Sequence, residues 1–307
     1  VMRSLLLAAS QNTWLREHAS HYNFVRRSVA RFMPGEEIDD ALAAARLLEA
    51  KRITVVFTHL GENIRDASEA EEVTQHYLIV LERIRAAGLQ TEISVKLTQL
   101  GLDQSVDLCT TNVKRILRAE DAGKTVWIDM EASPYVDTTL EVYRRAVAEF
   151  PRTGVCLQTY LFRTKADLEA LLPMKPAVRL VKGAYKESPD VAYPSKKEVD
   201  ENYFALGRTM LRAQREGSML RAAFGTHDTA MIKRLSEFCA QEGMPKRSLE
   251  IQMLYGIQRA EQERLAADGH RSAVLVAYGK YWYPWFVRRL AERPANLWFL
   301  AKNLFAR

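Results

Sequence analysis

The sequence predicts a (β/α)8 barrel preceded by additional N-terminal helices, and three observations carry that prediction. Eight short β-branched or apolar runs recur along the chain, and stretches with helical spacing lie between them. The first run is also not followed by the glycine-rich turn that opens a doubly wound sheet; it ends Thr58-His59-Leu60-Gly61-Glu62-Asn63, with a single glycine. The runs cover residues 53–60, 92–97, 125–130, 154–160, 178–184, 221–226, 249–254 and 273–278. Each is short enough for a parallel strand buried on both faces, and eight βα units are the count of a closed barrel.

Before the first strand, residues 5–17, 22–32 and 38–50 read as helices, with Pro34-Gly35 between the last two. Asp39 and Asp40 fall in the first turn of the third, where carboxylates suit the positive end of a helix. The expected organisation is residues 1–50 as helices packed on the outside of a barrel formed by residues 51–307. Between the strands, residues 70–86 place Val73, Tyr77, Val80, Leu81 and Ile84 on one helical face. Residues 138–150 place Leu140, Tyr143, Val147 and Phe150 likewise, with Arg144-Arg145 towards solvent. The longest irregular connection, residues 185–197 with Pro189 and Pro194, follows the fifth strand and is expected to act as a lid or cofactor cover.

Composition narrows the function classes. Hydrophobic residues make up 48% and charged residues 27% of the 307, an ordinary globular profile. The formal charge is +6, but the basic residues are scattered as pairs such as Arg26-Arg27 and Lys196-Lys197 rather than gathered into a patch, so nucleic-acid binding is not expected. Cys109, Cys156 and Cys239 are widely spaced and form no CxxC, which points to reduced thiols in a cytoplasmic protein and to no metal site. No run reaches the roughly 18 apolar residues of a membrane span.

A barrel carries its chemistry at the C-terminal ends of its strands. There the chain places Glu62, Lys96, Thr98, Asp129, Glu131, Gln158, Arg179, Lys182, Thr226-His227-Asp228, Gln252 and Tyr278. Lys96, Asp129, Arg179 and Lys182 interrupt apolar runs, where an unpaired charge is costly. The last helix, residues 283–293, sets Trp285, Arg288, Arg289 and Glu292 on one face, and adjacent arginines can grip a carboxylate or phosphate with forked hydrogen bonds. These residues leave three chemistries open. A Schiff-base lyase would use Lys96 or Lys182. A flavin or phosphate site would use the late-barrel donors around Lys182-Gly183-Ala184 and Thr226-His227-Asp228. A barrel that only binds a carboxylate is the third. A metal hydrolase lacks the His/carboxylate cluster it would need.

At these positions the sequence resembles the proline dehydrogenases, both monofunctional bacterial enzymes and the matching domain of the bifunctional proline utilisation protein. The resemblance is carried by Val95-Lys96-Leu97-Thr98-Gln99-Leu100-Gly101, Ile128-Asp129-Met130-Glu131, Leu157-Gln158-Thr159-Tyr160-Leu161 and Arg179-Leu180-Val181-Lys182-Gly183-Ala184-Tyr185. Thr226-His227-Asp228, Gln252-Met253-Leu254-Tyr255-Gly256 and Val287-Arg288-Arg289-Leu290-Ala291-Glu292-Arg293-Pro294 complete it. It implies a distorted barrel with non-covalent FAD that oxidises L-proline to Δ1-pyrroline-5-carboxylate. Hydride would pass from substrate C5 to flavin N5.

The resemblance also implies roles for individual residues. Lys96, Arg288 and Arg289 would bind the proline carboxylate, with Leu254, Tyr278 and Trp285 beside the substrate. Asp129 and Arg179 would be the catalytic-site residues. Met130, Gln158, Arg179, Lys182, Gly183, Ala184, Thr226, His227 and Glu292 would line the cofactor. Glu62 would pair with Arg288 as a gate. It implies further a quinone-type electron acceptor, peripheral contact with the inner face of a membrane, and a pyrroline-5-carboxylate dehydrogenase acting downstream. Leu275 and Trp285 stand where many members carry tyrosines, so a substituted proline such as hydroxyproline is an alternative substrate.

Overall fold

The structure is a computed structural model that describes residues 29–61, 64–120 and 123–292, with side chains through Val287. Helix α1 (Ile38–Glu49) leads into β1 (Thr54–His59), α2 (Ala67–Ala86), β2 (Glu92–Val95), α3 (Val106–Ala119), β3 (Val126–Ile128) and α4 (Val136–Val147). Then come β4 (Thr153–Gln158), α5 (Thr164–Leu171), β5 (Ala177–Val181), α6 (Lys196–Glu216), β6 (Arg221–Gly225) and α7 (Thr229–Gln241). The described chain closes with β7 (Glu250–Leu254), α8 (Arg259–Ala267), β8 (Arg271–Tyr278) and α9 (Trp282–Glu292). The strands pair in sequence order, all parallel, and β8 returns to β1, so the sheet is a closed barrel.

Helix starts follow from local chemistry. Asp66 accepts the Ser68 and Glu69 N–H groups ahead of α2, Ser105 caps α3, Asp228 accepts the Met231 N–H of α7, and Ser195 with Glu198 forms a capping box on α6. The predicted face of α2 is the buried one: Tyr77, Val80, Leu81 and Ile84 lie in the core, with Val73 packed against it. Helix α1 packs against β1 and β8, and Glu36, just before it, accepts the Trp282 indole N–H at 2.9 Å. The helix expected over 5–17 and most of that over 22–32 fall outside the described residues.

The two sides of the strands are chemically unlike. Val55, Phe57, Val274, Val276 and Tyr278 join the main core shared with the surrounding helices. Val56, Trp127, Ala177 and Ala223, with Leu275, form a separate cluster inside the barrel. There the Trp127 indole takes the space that a side chain at residue 154 would need: a Cβ on Gly154 would lie 2.4 Å from the ring.

Several strands end earlier than expected. Strand β5 stops at Val181 rather than at 184, because Gly183 adopts φ +117 and turns the chain out of the sheet. The connection that follows is anchored to the ends of other strands. Leu161 and Ala192 form an antiparallel bridge, and the Tyr193 N–H donates to the Tyr160 carbonyl at 2.7 Å. Glu187 accepts the Ser133 N–H at 2.8 Å and the Tyr160 hydroxyl at 3.2 Å.

Candidate active site

The C-terminal ends of β2, β3 and β5 bring three charges together. Lys96 Nζ lies 2.7 Å from one carboxylate oxygen of Asp129, and Arg179 pairs with the other. Ser94, two residues before Lys96 on the same side of β2, donates to Asp129 at 2.7 Å and accepts from Arg179 at 2.6 Å. Arg179 is buried, and every edge of its guanidinium is used. Nε donates to Cys156 Sγ at 2.9 Å, one terminal nitrogen donates to Gln252 Oε1 at 3.1 Å, and the other serves Ser94 and Asp129. Burial alone would raise the Asp129 pKa. The Lys96 ammonium and then the Arg179 guanidinium outweigh it and hold the carboxyl well below the usual carboxylate range. Burial pushes the Cys156 thiol up to about 11, so it sits here as S–H, 3.6 Å from Asp129.

The turn after Lys96 is fixed from β3. Glu131, buried, accepts both the Thr98 N–H at 3.1 Å and the Thr98 hydroxyl at 2.7 Å. Across the mouth, the Gln158 amide N–H donates to the Met130 carbonyl at 3.2 Å. Its Oε1 is buried with no hydrogen-bond partner among the described residues, and a buried acceptor in that condition calls for a donor from a bound group. Lys182 lies 2.8 Å from Asp228 and 2.6 Å from Asp200. Gly183 and Ala184 are half-buried, and a Cβ on Gly183 would stand 2.5 Å from the Tyr160 ring, so only glycine fits there. The Thr226 hydroxyl accepts the Asp228 N–H at 3.1 Å, and His227 Nε2 accepts the Leu254 N–H at 2.9 Å. That contact makes Nε2 the ring's acceptor towards β7.

Of the other expected residues, one is placed elsewhere and several are described only in part. Tyr278 is corrected: it does not line the mouth. It shares the outward side of β8 with Val274 and Val276, packs on Phe57 and bonds His76 Nε2 of α2 through its hydroxyl at 2.8 Å. Side chains alternate along a strand, so Leu275 is the one that faces the interior, paired in register with Leu254 of β7. Trp285 is buried in an apolar cluster with Leu60, Ala277, Trp282 and Phe286. Glu62 lies outside the described residues, and of Arg288, Arg289 and Glu292 only the helical backbone is described. Ser94 and Cys156 were missed as site residues, although a period-two count back from Lys96 and from Gln158 marks both as interior.

This arrangement can bind an anion and hold a fixed positive field at the mouth. It is poorly suited to amine nucleophiles, because Lys96 and Lys182 are both engaged with carboxylates, at 2.7 and 2.8 Å. Among the described residues, no group of three or more His, Cys, Asp or Glu is placed to hold a metal ion.

Comparison with known proteins agrees in family and in fold. The family model for proline dehydrogenase matches residues 41–302. The chain is 36% identical over 305 residues to proline dehydrogenase 1 of Bacillus subtilis subsp. natto, covering 99% of each chain. It is 38% identical over 280 residues to proline dehydrogenase of Deinococcus radiodurans, covering 89% of each. Among solved structures, proline utilization A from Bdellovibrio bacteriovorus, inactivated by N-propargylglycine, superposes with a TM-score of 0.81 at 24% identity. That match covers 87% of this chain and 33% of the other, and it shares the barrel fold.

Proposed function

Because the chain belongs to the proline dehydrogenase family, we propose that it is a flavoenzyme that oxidises L-proline to Δ1-pyrroline-5-carboxylate with non-covalent FAD, the first step of proline breakdown to glutamate. The observation that carries this reading is the Lys96–Asp129–Arg179 cluster at the barrel mouth, with Arg179 buried and the other two partly so. It keeps two cations in fixed places at the mouth, which suits a carboxylate substrate and a cofactor that gains negative charge.

The residues fit a flavin. The isoalloxazine ring carries both N–H and carbonyl groups, and the lone Gln158 Oε1 is an acceptor in need of such a donor. Gly183 keeps the chain free of side-chain bulk at the end of β5, and we assign Lys182, Ala184, Thr226, His227, Met130 and Glu292 to the cofactor-lining set with it. When bound, FAD would supply the acceptor for the hydride of the proline C5–H bond.

The chain's own residues bind and orient the substrate. Lys96, Arg288 and Arg289 take the carboxylate, and Leu254 and Trp285 offer apolar surface to the ring. Asp129 remains ionised across the working pH range and holds Lys96 and Arg179 on either side. Arg179 contributes a positive charge that needs no reorganisation during the reaction. We assign the gate of the site to Glu62 and Arg288, whose side chains lie outside the described ones. Proline must present a neutral amine, so kcat/KM is expected to rise with pH through an amine-like ionisation; a flat profile across the mildly alkaline range contradicts this.

We assign the electrons to a quinone-type acceptor reached by peripheral contact with a membrane's inner face, and the product to a downstream pyrroline-5-carboxylate dehydrogenase. No helix among the described residues is long and apolar enough to cross a membrane. The deciding experiment is the visible absorption spectrum of the purified protein, followed by anaerobic addition of L-proline. A flavin spectrum that bleaches with proline is the expected result. A bound flavin indifferent to proline but bleached by hydroxyproline moves the substrate, through Leu275 and Trp285. A colourless protein that also refuses added FAD overturns the proposal.

A further inference from the structure

Below the mouth, the barrel interior holds a second set of charges that the proposed chemistry does not use. Arg221 on β6 grips Glu250 on β7 through two parallel contacts of 2.8 and 2.7 Å. A terminal nitrogen of Arg221 also reaches Glu92 on β2 at 2.5 Å, and Glu92 accepts the Trp127 indole N–H at 2.9 Å. All four side chains are buried. One step nearer the mouth, Glu250 Oε1 accepts the Gln252 amide N–H at 2.8 Å, and Gln252 Oε1 accepts from Arg179 at 3.1 Å.

The direction of this chain is fixed by what each group can do. A carboxylate only accepts, so Glu250 takes the Gln252 N–H and leaves the amide oxygen facing the guanidinium, which only donates. The flipped amide would set oxygen against carboxylate and N–H against guanidinium.

We infer that Gln252 and Glu250 are positioning residues for Arg179: Glu250, clamped by Arg221, fixes the Gln252 amide, and Gln252 holds the guanidinium in the orientation that meets Asp129. The inference rests on the reading of the chain as a proline-oxidising flavoenzyme, in which Arg179 stands beside the cofactor. The other donors of Arg179 go to Cys156, Ser94 and Asp129, all on the β2–β4 side. Gln252 is the contact from β7, so its loss frees one edge of the guanidinium and lets the plane turn.

The test uses the flavin-loaded full chain with L-proline and compares Gln252→Met, Glu250→Gln and the double variant. Each single variant is expected to lower kcat about tenfold or more while KM changes less than about threefold. Each should also shift the visible flavin bands without loss of the flavin. The double variant should be no worse than the more severe single, because both act through one contact. A Gln252→Met variant with wild-type kcat and spectrum overturns the inference, as does a double variant whose loss is the product of the two singles. Should Glu250→Gln fail to fold, Gln252→Met, near in size and uncharged, decides by the same two readings. A wild-type chain that neither binds flavin nor oxidises proline overturns the functional reading and this inference together, which separates the two failures.

Discussion

Asp129 answers to two cations at once, and its protonation links the site to stability. Its folded pKa lies below the unfolded value, so the stabilisation from the cluster is complete above about pH 4 and drains away as pH falls towards the folded value. Asp129→Asn leaves Lys96 and Arg179 without their counter-charge and is expected to cost about 3–5 kcal/mol. The melting-temperature gap to wild type should be widest near neutrality and narrow below about pH 4; a gap independent of pH counts against this account. Proline turnover in the same variant should fall at least about 100-fold. His59 behaves in the same sense at higher pH. Burial first, and His76 with its ring 4.3 Å away second, press the imidazole down to about 4. Its contribution is therefore present above the unfolded value of 6.5 and lost as pH falls through 4. Between pH 7 and 4.5 a His59→Gln variant should lose less stability than wild type, the difference reaching about 2–3 kcal/mol; parallel curves would contradict it. Lys96, Asp129 and Arg179 were legible in the sequence because a charge inside an apolar run has to be explained. Cys156 was not, because a thiol in such a run looks like any small apolar residue.

At the scale of elements, the segment after β5 shows what a pattern can and cannot tell. Its length and prolines identify a long connection at the catalytic end, but its anchors come from other parts of the chain: Tyr160 and Leu161 after β4, and Ser133 after β3. Those partners are about 30–60 residues away, beyond the reach of any local signal. The hinge of this segment is Gly183, at positive φ and against the Tyr160 ring. Gly183→Ala is expected to weaken flavin binding at least about tenfold with the fold intact, through backbone strain and the clash with the ring. Fluorescence titration of the apoprotein with FAD measures it, and unchanged affinity would remove Gly183 from the cofactor-lining set. Strand ends were the least legible feature. The sequence extended the third strand to residue 130, yet pairing stops at Ile128, although the Asp129 N–H still reaches the Val95 carbonyl at 2.9 Å.

For the molecule as a whole, closure of the barrel creates an interior in which charges must satisfy one another. Arg221, Glu92 and Glu250 come from three strands and meet only because the sheet is closed. Arg221→Met strands two buried carboxylates and is expected to cost about 3–5 kcal/mol in thermal or denaturant unfolding. Lys51→Ala, which removes the half-exposed pair with Glu263 on the outside, should cost no more than about 1 kcal/mol. Equal losses in the two variants would mean that the interior network is as well solvated as the surface.

The order of elements, the number of strands, the helical faces and the main charges of the mouth were determined by the sequence itself. They depend on spacing along the chain, and on charges too costly to leave in apolar runs. Which charges meet was decided by tertiary structure. Arg221 finds Glu92 and Glu250, Gln252 finds Arg179, and Tyr278 turns out towards His76 while Leu275 turns in. Each of these depends on the register between strands and on which face of a strand looks inward, and a shift of one residue reverses both.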